Sequence, residues 1–94
     1  MFGLSDEIYL NILKIIDKYE NEFLIFGSRA RGDYKKNSDI DIAVKGVVTD
    51  KEEMMIRNEF DMLEIPYTID LVFVEKLEKK ELLESIKKEG IKLG

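Results

Sequence analysis

Residues 23–44 read FLIFGSRARGDYKKNSDIDIAV, and the order of events within them decides the fold. Phe23 to Phe26 is a short unbroken apolar run closed by Gly27, which suits a strand covered on both faces better than an edge hairpin arm. From Gly27 to Ser38 the periodicity breaks around two glycines, so this segment reads as a loop holding one helical turn. From Asp39 to Val44 the chain alternates. Ile40, Ile42 and Val44 share one face of a strand, while Asp39, Asp41 and Ala43 share the other. A covered strand, a glycine-bounded turn and a strand with an acidic face therefore follow one another directly.

Working outward, Ser5 caps a helix whose first turn carries Asp6 and Glu7, and Ile8, Ile12, Ile15, Ile16 and Tyr19 recur at helical spacing. On the other side, Thr49 and Glu52 form a capping box. It opens a helix expected to carry Met54, Met55, Phe60, Met62 and Leu63 inward toward Ile65, and Pro66 stops it. Tyr67 to Val74 predicts a third strand, with Ile69, Leu71 and Phe73 on one face and Thr68, Asp70, Val72 and Val74 on the other. Lys79 to Glu89 predicts a last helix with Leu82, Leu83 and Ile86 inward and Gly90 at its stop. This order predicts an α/β or α+β layer, a small sheet of three strands or slightly more packed with helices, with residues 1–94 forming one domain. Apolar groups near the termini, Phe2, Leu4, Tyr9, Ile91 and Leu93, either close the core or form an exposed patch that marks an interface.

Composition narrows the chemistry. The 94 residues include no cysteine and no histidine, which removes thiolate nucleophiles, imidazole bases, disulfides and Cys/His zinc sites together. What remains is carboxylates, hydroxyls, lysines and arginines. Fifteen basic residues against 20 acidic give a net charge of −5, so nucleic acid is not expected as the main partner. No apolar run is long enough to cross a bilayer and no secretory leader is read at the N-terminus, so the expected location is cytoplasmic, without a membrane partner.

Two aspartates at i and i+2 of one strand project from the same face, which brings the Asp39 and Asp41 carboxylates near each other. Such a pair is best stabilised by a hard cation between the oxygens, Mg²⁺, Mn²⁺ or Ca²⁺, and Asp70 supplies a third ligand if its strand lies alongside. Three carboxylates hold one or two ions of the kind that clamp a phosphoryl-type displacement. An isolated Asp-x-Asp is more often a solvent-facing pair. Here it follows Gly27-Ser28, where backbone can approach a phosphate and a helical turn presents free N–H groups. Two of the three arginines, Arg29 and Arg31, sit in the same turn, and guanidinium forks suit a polyphosphate, although they equally offset neighbouring aspartates.

Taken together, GSRARGDYKKNSDID, with ten residues between Ser28 and Asp39, resembles the motif of the DNA polymerase beta nucleotidyltransferase superfamily, and specifically its minimal nucleotidyltransferase (MNT) branch. The resemblance covers about residues 22–75. It implies a nucleotidyltransferase catalytic-domain-like fold. It further implies Mg²⁺-dependent (or Mn²⁺-dependent) transfer of a nucleoside monophosphate, AMP being the expected one, from a nucleoside triphosphate to a hydroxyl. Asp39 and Asp41 would then be metal ligands and catalytic residues, with Asp70 in TIDLVFVE the third acidic position. Gly27 and Ser28 would hold the phosphates, Arg31 being favoured over Arg29 as a further contact. Short members of this family pair with a separately encoded helical protein, a HEPN-type toxin or a substrate-binding-like bundle, as in toxin–antitoxin pairs. The alternative is a non-catalytic antitoxin or scaffold that occludes such a partner. A receiver-like acidic domain would need a longer five-stranded alternation than this chain supplies.

Overall fold

The computed structural model describes residues 1–94. In chain order it has α1 (Asp6–Ile16), β1 (Glu22–Phe26), a single turn α2 (Ser28–Arg31) and β2 (Ile40–Lys45). There follow α3 (Asp50–Asp61), β3 (Ile69–Phe73), a 3₁₀ turn (Val74–Lys76), α4 (Lys80–Glu89) and β4 (Ile91–Lys92). The strands form one mixed sheet in the order β3-β2-β1-β4. β1 runs antiparallel to β2 and β4, whereas β2 and β3 are parallel, as the intervening α3 crossover requires.

The alternation along the strands sorts side chains to two faces. On one, Ile40, Ile42 and Val44 of β2 join Phe23 and Ile25 of β1, all essentially inaccessible, beneath α1 and α3. A buried side chain of this kind contributes about 1.5–3 kcal/mol, so this face carries most of the hydrophobic stabilisation. On the other face, Phe26 and Ala43 pack with Ile86 of α4 in a smaller cluster flanked by Leu24, Val72 and Val74. Asp41 and Asp70 alternate onto this second face, and β2, which carries Asp41, is an inner strand.

Two open expectations are settled and one changes. The sheet gains a fourth strand, because the Leu93 N–H donates to the Phe23 carbonyl at 2.8 Å and draws Ile91–Lys92 against β1. α3 ends at Asp61, short of Ile65, and Met54 and Met55 within it and Met62 just beyond it point outward, 64%, 48% and 80% exposed. Ile56 and Phe60, one turn apart on the same face, are buried instead, with Leu63 packed against the same cluster. Most of the terminal apolar groups close the core. Leu4 and Leu93 are buried and the Phe2 and Tyr9 rings meet at 6.1 Å, while Ile91 remains exposed. No helix is long and apolar enough to cross a membrane.

Candidate active site

Asp41 and Asp70 are direct partners in the parallel register of β2 and β3, so their carboxylates meet on the α4 side of the sheet. Burial pushes the Asp41 carboxyl above its ordinary range. Repulsion from Asp70 and then Asp39, together with hydrogen bonding to Asp70, pushes it further, and the Arg31 guanidinium opposes the rise. Asp70 and Asp39 are exposed. The aspartates expected to share one metal site are thus gathered only in part: no three acidic side chains stand close enough together to ring an ion. Like charges oppose any tighter grouping. The donor set, oxygen-only and anionic, with two members in register, still fits a hard divalent cation such as Mg²⁺.

Gly27 ends β1 opposite this pair, since its neighbour Phe26 is the register partner of Asp41. Its φ of 74° and ψ of −154° lie in a region that only glycine occupies readily. A Cβ at Gly27 would collide with Oδ2 of Asp41, so the missing side chain gives the carboxylate its place. Ser28 opens α2 immediately beyond. As at any helix start, the N–H groups of Ser28 to Ala30 have no partner within the helix.

The two arginines of the turn take different work. Arg31 is partly exposed and its Nη1 donates to Glu89 of α4 at 2.8 Å, while Nε donates to Asp33 at 3.1 Å. Arg29, expected at the phosphates, is turned the other way and is 2% exposed. Its Nε and Nη2 donate to the Ser38 carbonyl at 3.2 and 2.8 Å, and Nη1 donates to the Phe2 carbonyl at 3.0 Å. The guanidinium carbon lies 4.6 Å from the Tyr67 ring centroid and 5.2 Å from that of Tyr34. Glu89 and Tyr67 were invisible as neighbours of the motif because they come from other parts of the chain, whereas Tyr34 lies within the motif itself and only its contact with Arg29 was not legible.

The largest surface hollow, about 580 Å³, lies at the opposite end of β1 and β2, among polar groups such as Lys18, Asn21, Glu22, Lys45 and Glu52. It contains none of the three aspartates. Asp39 and Asp70 are exposed, whereas Asp41 is half-buried.

The model of the family described as polymerase beta, nucleotidyltransferase matches residues 11–93. The chain belongs to the polymerase beta nucleotidyltransferase family. Three solved structures share the fold of this nucleotidyltransferase-family chain. A toxin–antitoxin with AMP-PNP is 22% identical at a TM-score of 0.70, over 92% of this chain and 72% of that one. A mutant of the toxin–antitoxin MntA–HpeT is 20% identical at 0.69, over the same 92% and 72%. The tri-AMPylated Shewanella oneidensis HEPN toxin in complex with MNT antitoxin is 20% identical at 0.64, over 97% of this chain and 72% of that one. At these identities the likeness is one of fold. The comparison with curated proteins gives no match.

Proposed function

We propose that this chain is a Mg²⁺-dependent nucleotidyltransferase that moves a nucleoside monophosphate, AMP being the first candidate, from a nucleoside triphosphate to a hydroxyl acceptor with release of pyrophosphate. The observation that carries the reading is the in-register Asp41–Asp70 pair, with Asp39 two residues from Asp41 and the Gly27–Ser28 turn opposite, inside a domain of this family. Asp39, Asp41 and Asp70 would hold the ion, which when bound polarises the α-phosphate and neutralises charge on the pyrophosphate. In the transfer the acceptor oxygen bonds to the α-phosphorus, the bond from that phosphorus to the bridging oxygen breaks, and pyrophosphate leaves. Asp70, exposed at the sheet edge, takes the acceptor's proton, because no histidine exists to do so. Gly27 and Ser28 cradle the phosphates through backbone N–H groups and the serine hydroxyl, and Arg31 turns from Glu89 to the polyphosphate.

The exposure of Asp39 and Asp70 supports a second component that holds the base and the acceptor. The complexes of like fold, one with AMP-PNP and one with an AMPylated HEPN toxin, make a helical HEPN-type partner the first candidate, ahead of a substrate-binding-like bundle. The deciding experiment follows α-phosphate label from each of the four ribonucleoside triphosphates, with Mg²⁺, in cell lysate. Wild type is expected to label one macromolecule or small molecule, and the Asp39→Asn, Asp41→Asn double variant none. Asp70→Asn is expected to lower transfer on the order of 10²–10⁴-fold while nucleotide still binds. A folded wild type that labels nothing beyond the double variant overturns the transferase reading in favour of a module that neutralises its partner by occlusion.

A further inference from the structure

Arg29 is a buried cation with no carboxylate partner, an arrangement that costs free energy unless other groups replace the lost water. Main-chain carbonyls and ring faces replace it here. Two of its N–H groups grip one oxygen, the Ser38 carbonyl, and its guanidinium carbon lies over the rings of Tyr34 and Tyr67. Ser38 is the residue before Asp39. Two residues further on, the Ile40 N–H donates to the Thr68 carbonyl at 2.9 Å, and Thr68 lies two residues before Asp70. A continuous path of contacts therefore runs from α2, through Arg29 and the Ser38 peptide, to the starts of both acidic strands.

From this we infer that Arg29 is a positioning residue: it clamps the main chain where β2 begins and so sets how well the Asp39 and Asp41 carboxylates bind a divalent cation, without touching the nucleotide. A phosphate contact would need an accessible guanidinium, and this one presents its donors to Ser38 and Phe2 instead. The chemistry also explains the residue type. A planar fork places two N–H groups on one carbonyl while its carbon stays over two aromatic rings; a lysine ammonium keeps the charge and loses the fork. The consequence for the cation rests on the metal reading of Asp39 and Asp41, whereas the clamp itself does not.

The test uses the full chain and reads two quantities without nucleotide, amide hydrogen exchange at Ile40, relative to Ile25 and Ile42, and Mn²⁺ affinity by water-proton relaxation, with triphosphate binding by the same variants measured separately by titration with ATP. Arg29→Lys and Tyr67→Leu are expected to speed Ile40 exchange by about tenfold, the size of a lost hydrogen bond to a charged group, and to weaken Mn²⁺ binding several-fold. Tyr67→Phe, which keeps the ring, is expected to change neither. A folded Arg29→Lys with unchanged Ile40 exchange overturns the clamp. Faster exchange with unchanged Mn²⁺ affinity overturns the link to the carboxylates, and weaker triphosphate binding with both readings intact returns Arg29 to the phosphates. If Arg29→Lys does not fold, Tyr67→Leu is judged by the same criteria. If wild type shows no Mn²⁺ binding that Asp39→Asn removes, the metal reading and the cation half of the inference fall together, and the Ile40 measurement still decides the clamp.

Discussion

Gly27 and Gly32 bound the same turn, both at positive φ, yet they differ in what a side chain would meet. At Gly32 a Cβ enters open space; at Gly27 it strikes the Asp41 carboxylate. Both Gly27→Ala and Gly32→Ala should therefore lose about 1–3 kcal/mol to backbone strain in a thermal melt. Only Gly27→Ala should also lose label transfer and require more Mg²⁺ for what remains, and equal activity in the two variants would refute the spatial role of Gly27. This residue was legible as a turn from sequence, and its partner was not, because Asp41 lies fourteen positions away and meets it only through the β1–β2 register. The direction in which Arg29 points was not legible for a related reason. An arginine beside a turn of this kind looks the same in sequence whether it faces a ligand or two carbonyls, and the Phe2 carbonyl arrives from the N-terminal segment, before α1.

At the scale of elements, α3 is the crossover that makes β2 and β3 parallel, and so brings Asp70 beside Asp41. Its start is fixed by the reciprocal bonds of Thr49 and Glu52, at 3.1 and 3.0 Å. Thr49→Ala should cost about 1 kcal/mol, and for a chain of this size lower the melting temperature by roughly 4–8 °C. A calorimetric midpoint unchanged from wild type would count against the cap as the anchor of the crossover. The main strands were legible because period-two alternation of Ile40, Ile42 and Val44, and of Ile69, Leu71 and Phe73, has no helical explanation. The face of α3 was not, since its exposed methionines are as apolar in sequence as a core residue and only the packing of Ile56 and Phe60 against the sheet tells them apart. β4 escaped because two residues hold no period, and its pairing is decided by the groove left beside β1.

Over the whole molecule, charge both joins and strains the layers. Glu59 of α3 accepts from Lys18 at 2.6 Å and from the Tyr19 hydroxyl at 3.1 Å, tying α3 to the end of α1. The Lys18 contact, with help from Tyr19, holds the Glu59 carboxyl below its ordinary range against the opposing effect of burial. A carboxyl lowered on folding stabilises the fold above its unfolded pKa, and that contribution is lost as pH falls through the folded value. Glu59→Gln should therefore reduce stability near neutral pH, by no more than about 1 kcal/mol, and flatten its decline on the acid side. Denaturant midpoints measured from neutral to acid pH check this, and parallel curves for variant and wild type would exclude it.

The sheet order has a consequence for heat. Asp41 stands on an inner strand held from both sides, whereas Asp70 stands on β3, the edge, paired along one side only. Edge segments fray at lower free energy than the centre of a sheet. On warming, the two carboxylates are expected to part while the Ile40, Ile42 and Val44 layer is still packed, so whatever chemistry needs the pair together would be lost before the core melts. A partner that lies along the free side of β3 would close that gap and raise the working temperature without adding a single group to the chemistry.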